Sequence, residues 1–167
     1  GLPLDAEKNT AGRALLALRG RLGLTHGFEV TIEKGIPLGS GMGGSAASCV
    51  AALVAASAVL ERPAPMDVLY QCAMIGESAA SGAEHGDNVG PMLLGGLALA
   101  THHRLISIPV PDDLTCVLVH PHQILETKTA RAVLRLPFEL PQFVEQSANL
   151  ALVLAGCYRN DLDCIRA

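Results

Sequence analysis

The chain has 167 residues, half of them apolar, with a formal net charge of -4 and five aromatic side chains. That size supplies one ordinary domain, or one domain and part of a second, and the acidic balance with so few aromatics offers nucleic acid neither a basic footprint nor a stacking platform. No run reaches the roughly 18 uninterrupted apolar residues of a membrane span and no signal-peptide layout opens the sequence, so a cytoplasmic protein is expected.

The first predicted element is a helix from about Asn9 to Leu22. Asn9 or Thr10 suits its N-cap, and Ala11, Leu15, Leu18 and Leu22 recur three or four apart on one face. A strand is predicted from Phe28 to Lys34, where Phe28, Val30 and Ile32 alternate with Glu29, Thr31 and Glu33. It leads into the stretch from Pro37 to Ser48, with glycines at 39, 41, 43 and 44. Glycine permits positive φ and removes the Cβ atoms that would keep a ligand off the backbone, so consecutive amide N–H groups can converge on one point. A helix predicted from Ser45 to about Leu60 adds the free N–H groups and partial positive charge of its first turn, which makes phosphate the expected occupant. With Ala46, Ala47, Ala51, Ala52, Ala55 and Ala56, this helix is apolar almost all round and is expected to be buried.

Two familiar glycine-rich loops fit this stretch poorly. Gly39, Gly41 and Gly44 satisfy the dinucleotide pattern, which also wants a second strand ending in an acidic residue about 20 positions on. An apolar helix follows instead, and Glu61 sits beside Arg62-Pro63 in a turn. A Walker A loop would place lysine where Ser45 stands.

After the break at Arg62-Pro63-Ala64-Pro65, a helix is predicted from about Met66 to Ala80, largely covered through Val68, Leu69, Cys72, Ala73 and Ile75. Glu77 is conspicuous on such a helix, because a buried carboxylate needs a partner. A hard Mg²⁺ would satisfy it, as would an exposed helix end or a neighbouring cap. The polar, glycine-punctuated segment from Ser81 to Pro91 follows, of the kind that carries ligand contacts or simply turns. Beyond the apolar run from Met92 to Leu99, strands are predicted at Leu105 to Val110 and Leu114 to His120. Pro111-Asp112-Asp113 between them marks the boundary to a second domain. Thr127 to Arg131 opens a further helix, in which Arg131 can grip a carboxylate with two prongs or pair with a surface acid. The last helix, near Phe143 to Arg159, is expected to be structural. The cysteines at 49, 72, 116, 157 and 164 are odd in number and widely spaced, which suits reduced core residues. The pairs His102-His103 and His120/His122 lack a carboxylate or thiolate at ligand spacing and are expected in solvated loops.

The run Pro37-x-Gly39-x-Gly41-x-Gly43-x-Ser45-Ala46-Ala47 resembles the phosphate loop of the GHMP kinases, departing at Gly44, where that family usually has a second serine. Two further stretches are similar to the homoserine kinases within it. One is Leu4-Asp5-x-x-Lys8-Asn9-Thr10-Ala11-Gly12; the other is Glu77 eight residues before His85-x-Asp87-Asn88-Val89-x-Pro91, ahead of Leu93-Leu94-Gly95-Gly96. The resemblance implies an α+β, two-domain GHMP kinase fold. Residues 1–111 would form the ATP-binding domain with a left-handed-type βαβ phosphate-loop unit, and 112–167 the start of a ferredoxin-like second domain, here truncated. The chain begins at Gly1 without methionine, and an N-terminal strand segment and a C-terminal glycine-rich segment of the family are missing, so an excerpt of doubtful activity by itself is expected.

By the same resemblance, Pro37, Leu38, Gly39, Ser40, Gly41, Met42, Gly43, Gly44, Ser45, Ala46 and Ala47 would wrap the ATP phosphates, with Asn9 and Lys34 near the adenine. Ser45 and Glu77 would hold Mg²⁺, and His85, Asp87, Asn88, Thr127 and Arg131 would line the amino-acid pocket. Asp87 is also a candidate general base by its chemistry. The implied activity is ATP-dependent phosphorylation of the L-homoserine hydroxyl to O-phospho-L-homoserine, in threonine biosynthesis. ATP and L-homoserine are the expected partners, and self-association into a homodimer is left open. Another GHMP kinase, such as a mevalonate kinase, and a nucleotide-binding regulatory protein without turnover stay open as alternatives.

Overall fold

The computed structural model describes residues 2–82, 84–119, 133 and 137–166 of the chain. Helix α1 (Thr10–Leu22) starts where Asn9 caps it, the side chain accepting from the N–H groups of Ala11 and Gly12, and stops at Gly23, whose φ of 62° closes the last turn. Its Ala11, Ala14, Leu15 and Leu18 are buried against α2 (Gly44–Ala58) and α3 (Met66–Ser81), which also pack on each other. Leu18, Leu53, Tyr70 and Met74 fill the core of this three-helix layer. The helices approach closely at Gly76, where a Cβ would lie 2.6 Å from the Thr10 carbonyl oxygen, 2.7 Å from Ala14 Cβ and 2.8 Å from Cys49 Sγ.

Helix α4 (Gly86–Leu94) lies on α2 and α3 and carries the chain into an antiparallel pair, β1 (Leu97–Ala100) and β2 (Leu105–Ile108), with Leu97 opposite Ile108 and Ala100 opposite Leu105. The apolar run from Met92 to Leu99 is divided between helix and strand by Gly95 and Gly96, whose φ values of 76° and 60° suit glycine. Tyr70 donates its hydroxyl to the Thr101 carbonyl at 2.7 Å and so ties α3 to the β1–β2 turn. Helix α5 (Leu140–Arg159), whose start is closed by the Glu139 N–H donating to Gln142 Oε1 at 3.0 Å, packs against α6 (Leu162–Arg166). Among the described residues no helix is long and apolar enough to cross a membrane.

Several expectations are corrected here. Residues 28–34 form no strand: alternation is present, but a strand exists only as a hydrogen-bonded pair, and among the described residues the only sheet is β1–β2. Val30 and Ile32, the apolar side of that alternation, are 45% and 36% exposed. Residues 114–119 likewise form no strand, and the strand predicted to Val110 ends at Ile108. Helix α2 is not buried all round, since Val54 is 49% exposed and Ala51, Ala55 and Ala58 face outward with it. Alanine loses little by exposure, which lets an apolar helix keep one open side. Cys49, Cys72 and Cys157 are buried as expected, whereas Cys116 is exposed; all are free thiols.

Candidate active site

The loop ahead of α2 alternates between ordinary and left-handed backbone, with φ of 71° at Gly39, 72° at Gly41 and 68° at Gly43. At Gly43 the positive φ favours glycine, and a Cβ there would also crowd the side-chain ends of Met92, at 2.9 Å from Cε, and Asn88, at 3.0 Å from Oδ1. The loop is thus pressed onto α4 at this point. It ends as the N-cap of α2 with no side-chain cap hydrogen bond and no acidic residue in the first turn, so the first N–H groups of the helix are left for another acceptor. Within the loop, the Ser40 hydroxyl is buried with no hydrogen-bond partner among the described residues. Left-handed glycines, uncapped amides and a buried hydroxyl form a cradle for an anion.

Beside the cradle, Ser45 Oγ in the first turn of α2 donates to Glu77 Oε1 on α3 at 2.8 Å. Glu77 is only 8% exposed. Burial raises its pKa above the usual glutamate value; the Ser45 hydrogen bond opposes this, the Asp87 charge adds to it, and His85 acts against it. Asp87 and His85, at the start of α4, are thereby in electrostatic reach of the Ser45–Glu77 pair. Asp87 Oδ1 accepts from the Asn88 N–H at 3.1 Å.

Lys34 donates to the Gly44 carbonyl and, at 2.8 Å, to Ser48 Oγ, and Ser48 Oγ itself donates to the same carbonyl at 3.1 Å. From the other side, Thr10 Oγ1 donates to the Ser45 carbonyl at 3.3 Å. Outside this turn, residues 30–36 and the open face of α2 enclose a groove of about 390 Å³ lined by Val30, Ile32, Ile36, Ala47, Ala51 and Ala55 among others.

Residues 9–96 match the model of the GHMP kinases N terminal domain. The chain belongs to the GHMP kinase family. It is similar to the homoserine kinase of Xanthomonas campestris pv. campestris, 58% identical over 166 residues that cover 99% of this chain and 52% of the relative. It is also similar to the homoserine kinase of Chlorobium phaeobacteroides, 38% identical over 173 residues covering 98% and 54% respectively. The crystal structure of homoserine kinase from Cytophaga hutchinsonii superposes with a TM-score of 0.88 at 38% identity, covering 98% of this chain and 53% of that one. The chain spans about half the length of the curated relatives it matches.

In this GHMP kinase chain the structure brings the loop, Ser45, Glu77, His85, Asp87 and Asn88 to one place where α2, α3 and α4 meet. Along the loop Leu38 and Met42 are exposed, while Ala46 is buried beneath it and Ala47 half-buried. Asn9 is occupied at both ends of its amide: Oδ1 caps α1, and Nδ2 donates to the Pro3 carbonyl at 2.8 Å. The Lys34 ammonium lies on the first turn of α2. Thr127 and Arg131 lie outside the described residues. Thr10 and Ser48 were not read as site residues from the sequence, since their contacts depend on how α1 and residues 28–36 approach α2; a hydroxyl following a helix cap was the only local signal.

Proposed function

We propose that this chain is the nucleotide-binding half of a homoserine kinase, which moves the γ-phosphoryl group of ATP to the L-homoserine hydroxyl and yields ADP and O-phospho-L-homoserine for threonine biosynthesis. The observation that carries the substrate class is 58% identity across 99% of the chain to a protein of that name. The chemistry suits the geometry. Phosphoryl transfer asks a protein chiefly for positioning and charge neutralisation, and the cradle offers both through the first-turn amides of α2 and the Ser40 hydroxyl. The groove beside α2 is assigned to the adenine ring, since it is mostly apolar and adjoins the cradle.

Mg²⁺ fits the residues present. Ser45 and Glu77 are two hard oxygen donors held 2.8 Å apart, and among the described residues no group of three or more His, Cys, Asp or Glu gathers as a cage. Mg²⁺ is commonly held by one or two protein oxygens together with substrate phosphates. When bound, the ion neutralises charge on the phosphate oxygens. Ser45 and Glu77 would hold it, while the left-handed glycines keep side chains clear of the phosphates.

Asp87 and the Asn88 carboxamide suit the homoserine ammonium, and Arg131 its carboxylate, with His85 and Thr127 beside them. Residues 1–111, which contain the matched span 9–96, are assigned as the nucleotide domain and 112–167 as the opening of a second, ferredoxin-like domain. The enzyme is placed in the cytoplasm. The test is ADP formation by the full-length polypeptide across a panel of alcohols: homoserine should be the preferred acceptor, and preference for mevalonate or galactose would overturn the assignment. Arg131→Lys keeps the charge and loses the fork, so KM for homoserine should rise by at least about tenfold, roughly 1.4 kcal/mol, with KM for ATP nearly constant.

A further inference from the structure

We infer that Lys34 and Thr10 are positioning residues of the phosphate cradle, acting on the nucleotide phosphates through the backbone of α2; this rests on the nucleotide-binding part of the reading above. In a trans peptide the C=O and the following N–H point in opposite directions, so fixing a carbonyl also aims the next amide. The Gly44 carbonyl is held by the Lys34 ammonium and by Ser48 Oγ, itself 2.8 Å from Lys34 Nζ. The Ser45 N–H in that peptide is therefore directed back toward the loop. One peptide further on, Thr10 Oγ1 holds the Ser45 carbonyl from α1 at 3.3 Å and sets the Ala46 N–H in the same way. Two successive amides of the anion site are thus aimed from outside by residues on two different segments. Both belong to the first turn, where helical N–H groups have no partner within the helix.

Charge supports the same conclusion for Lys34. A cation at a helix N-terminus stands at the positive pole of the helix dipole, which is unfavourable in isolation, and the first turn of α2 has no acidic residue to offset it. The arrangement becomes favourable once an anion occupies the cradle, because Lys34, the amides and the dipole then act on it together. The Lys34 stem lines the groove given to the adenine ring, but its charge sits on the first turn of α2, so the ammonium is assigned to the phosphates.

The experiment measures binding of ADP and of adenosine by calorimetry in the full-length polypeptide that carries this chain. Lys34→Met should raise the Kd for ADP about tenfold and leave adenosine within about twofold. Thr10→Val should raise the Kd for ADP about threefold, and Thr10→Ser, which keeps the hydroxyl, should restore it. Equal losses for ADP and adenosine in Lys34→Met would place Lys34 on the base and overturn the inference, as would unchanged ADP binding in both Lys34→Met and Thr10→Val. If Lys34→Met does not fold, the Thr10 pair decides. Homoserine takes no part in these measurements, so a failed acceptor panel with Lys34-dependent ADP binding would refute the kinase assignment alone.

Discussion

Glu77 is a buried carboxylate whose ionisation is coupled to the fold. Burial raises its pKa above the usual glutamate value, so in the window between the unfolded and folded values the folded chain holds more protons than the unfolded one. Its contribution to stability is fully present below the unfolded pKa and is lost as pH rises through the folded pKa. Glu77→Gln removes this dependence and keeps an acceptor for Ser45. Thermal denaturation across that window, without metal, should show the wild type losing stability relative to the variant as pH rises, and Mg²⁺ with nucleotide should recover the wild type alone. A parallel pH dependence in the two proteins would contradict the assignment. In the full-length polypeptide, on the proposed kinase reading, the same variant should lower kcat by about a hundredfold or more while changing the affinity for metal-free nucleotide little, as expected for a group acting on transition-state charge. At Gly43, alanine would have to adopt a φ of 68° with Met92 Cε and Asn88 Oδ1 at its Cβ. The left-handed backbone alone costs ~1–2 kcal/mol, so Gly43→Ala should lower both thermal stability and ATP affinity.

At the scale of elements, the placing of the glycine-rich loop and of the Ser45–Glu77 pair depends on how α1, α2 and α3 pack. Gly76→Ala would bring a methyl to within 2.6 Å of the Thr10 carbonyl oxygen. Overpacking of that kind destabilises by about 1–3 kcal/mol and outweighs the roughly 1 kcal/mol gain in helix propensity, a difference readable in chemical denaturation. Asn9→Ala, which removes the cap of α1, should cost ~1 kcal/mol in the same measurement. Cys49 lies between these helices, and burial is the first cause that pushes its thiol up to about 12. Native alkylation near pH 8 should leave Cys49 unmodified and label the exposed Cys116. The helices were legible in the sequence because their periodicity and caps are local: Asn9 and the apolar positions of α1 could be read directly. The expected strand at 28–34 was not secured by its alternation, because pairing depends on a second segment. Glu77 stood out as a carboxylate among apolar neighbours, whereas Thr10 and Ser48 acquire meaning only from tertiary approach. The turn of Lys34 toward α2 could not be read from its position ahead of the loop, since a flexible four-carbon stem reaches either side.

For the whole molecule, the described residues bring the glycine-rich loop, the Ser45–Glu77 oxygen pair and Asp87 and Asn88 together where three helices meet, in a chain that spans about half the length of its curated relatives. Turnover is therefore a property to be measured on the full-length polypeptide. The most direct measurement is phosphorus NMR of that polypeptide with ATP, Mg²⁺ and L-homoserine, followed from mixing to exhaustion of the nucleotide. The account predicts that the γ-phosphate signal is replaced one for one by a phosphomonoester coupled to the homoserine side-chain methylene. Conversion of the γ-phosphate to inorganic phosphate alone, or its persistence beside intact homoserine, would contradict it.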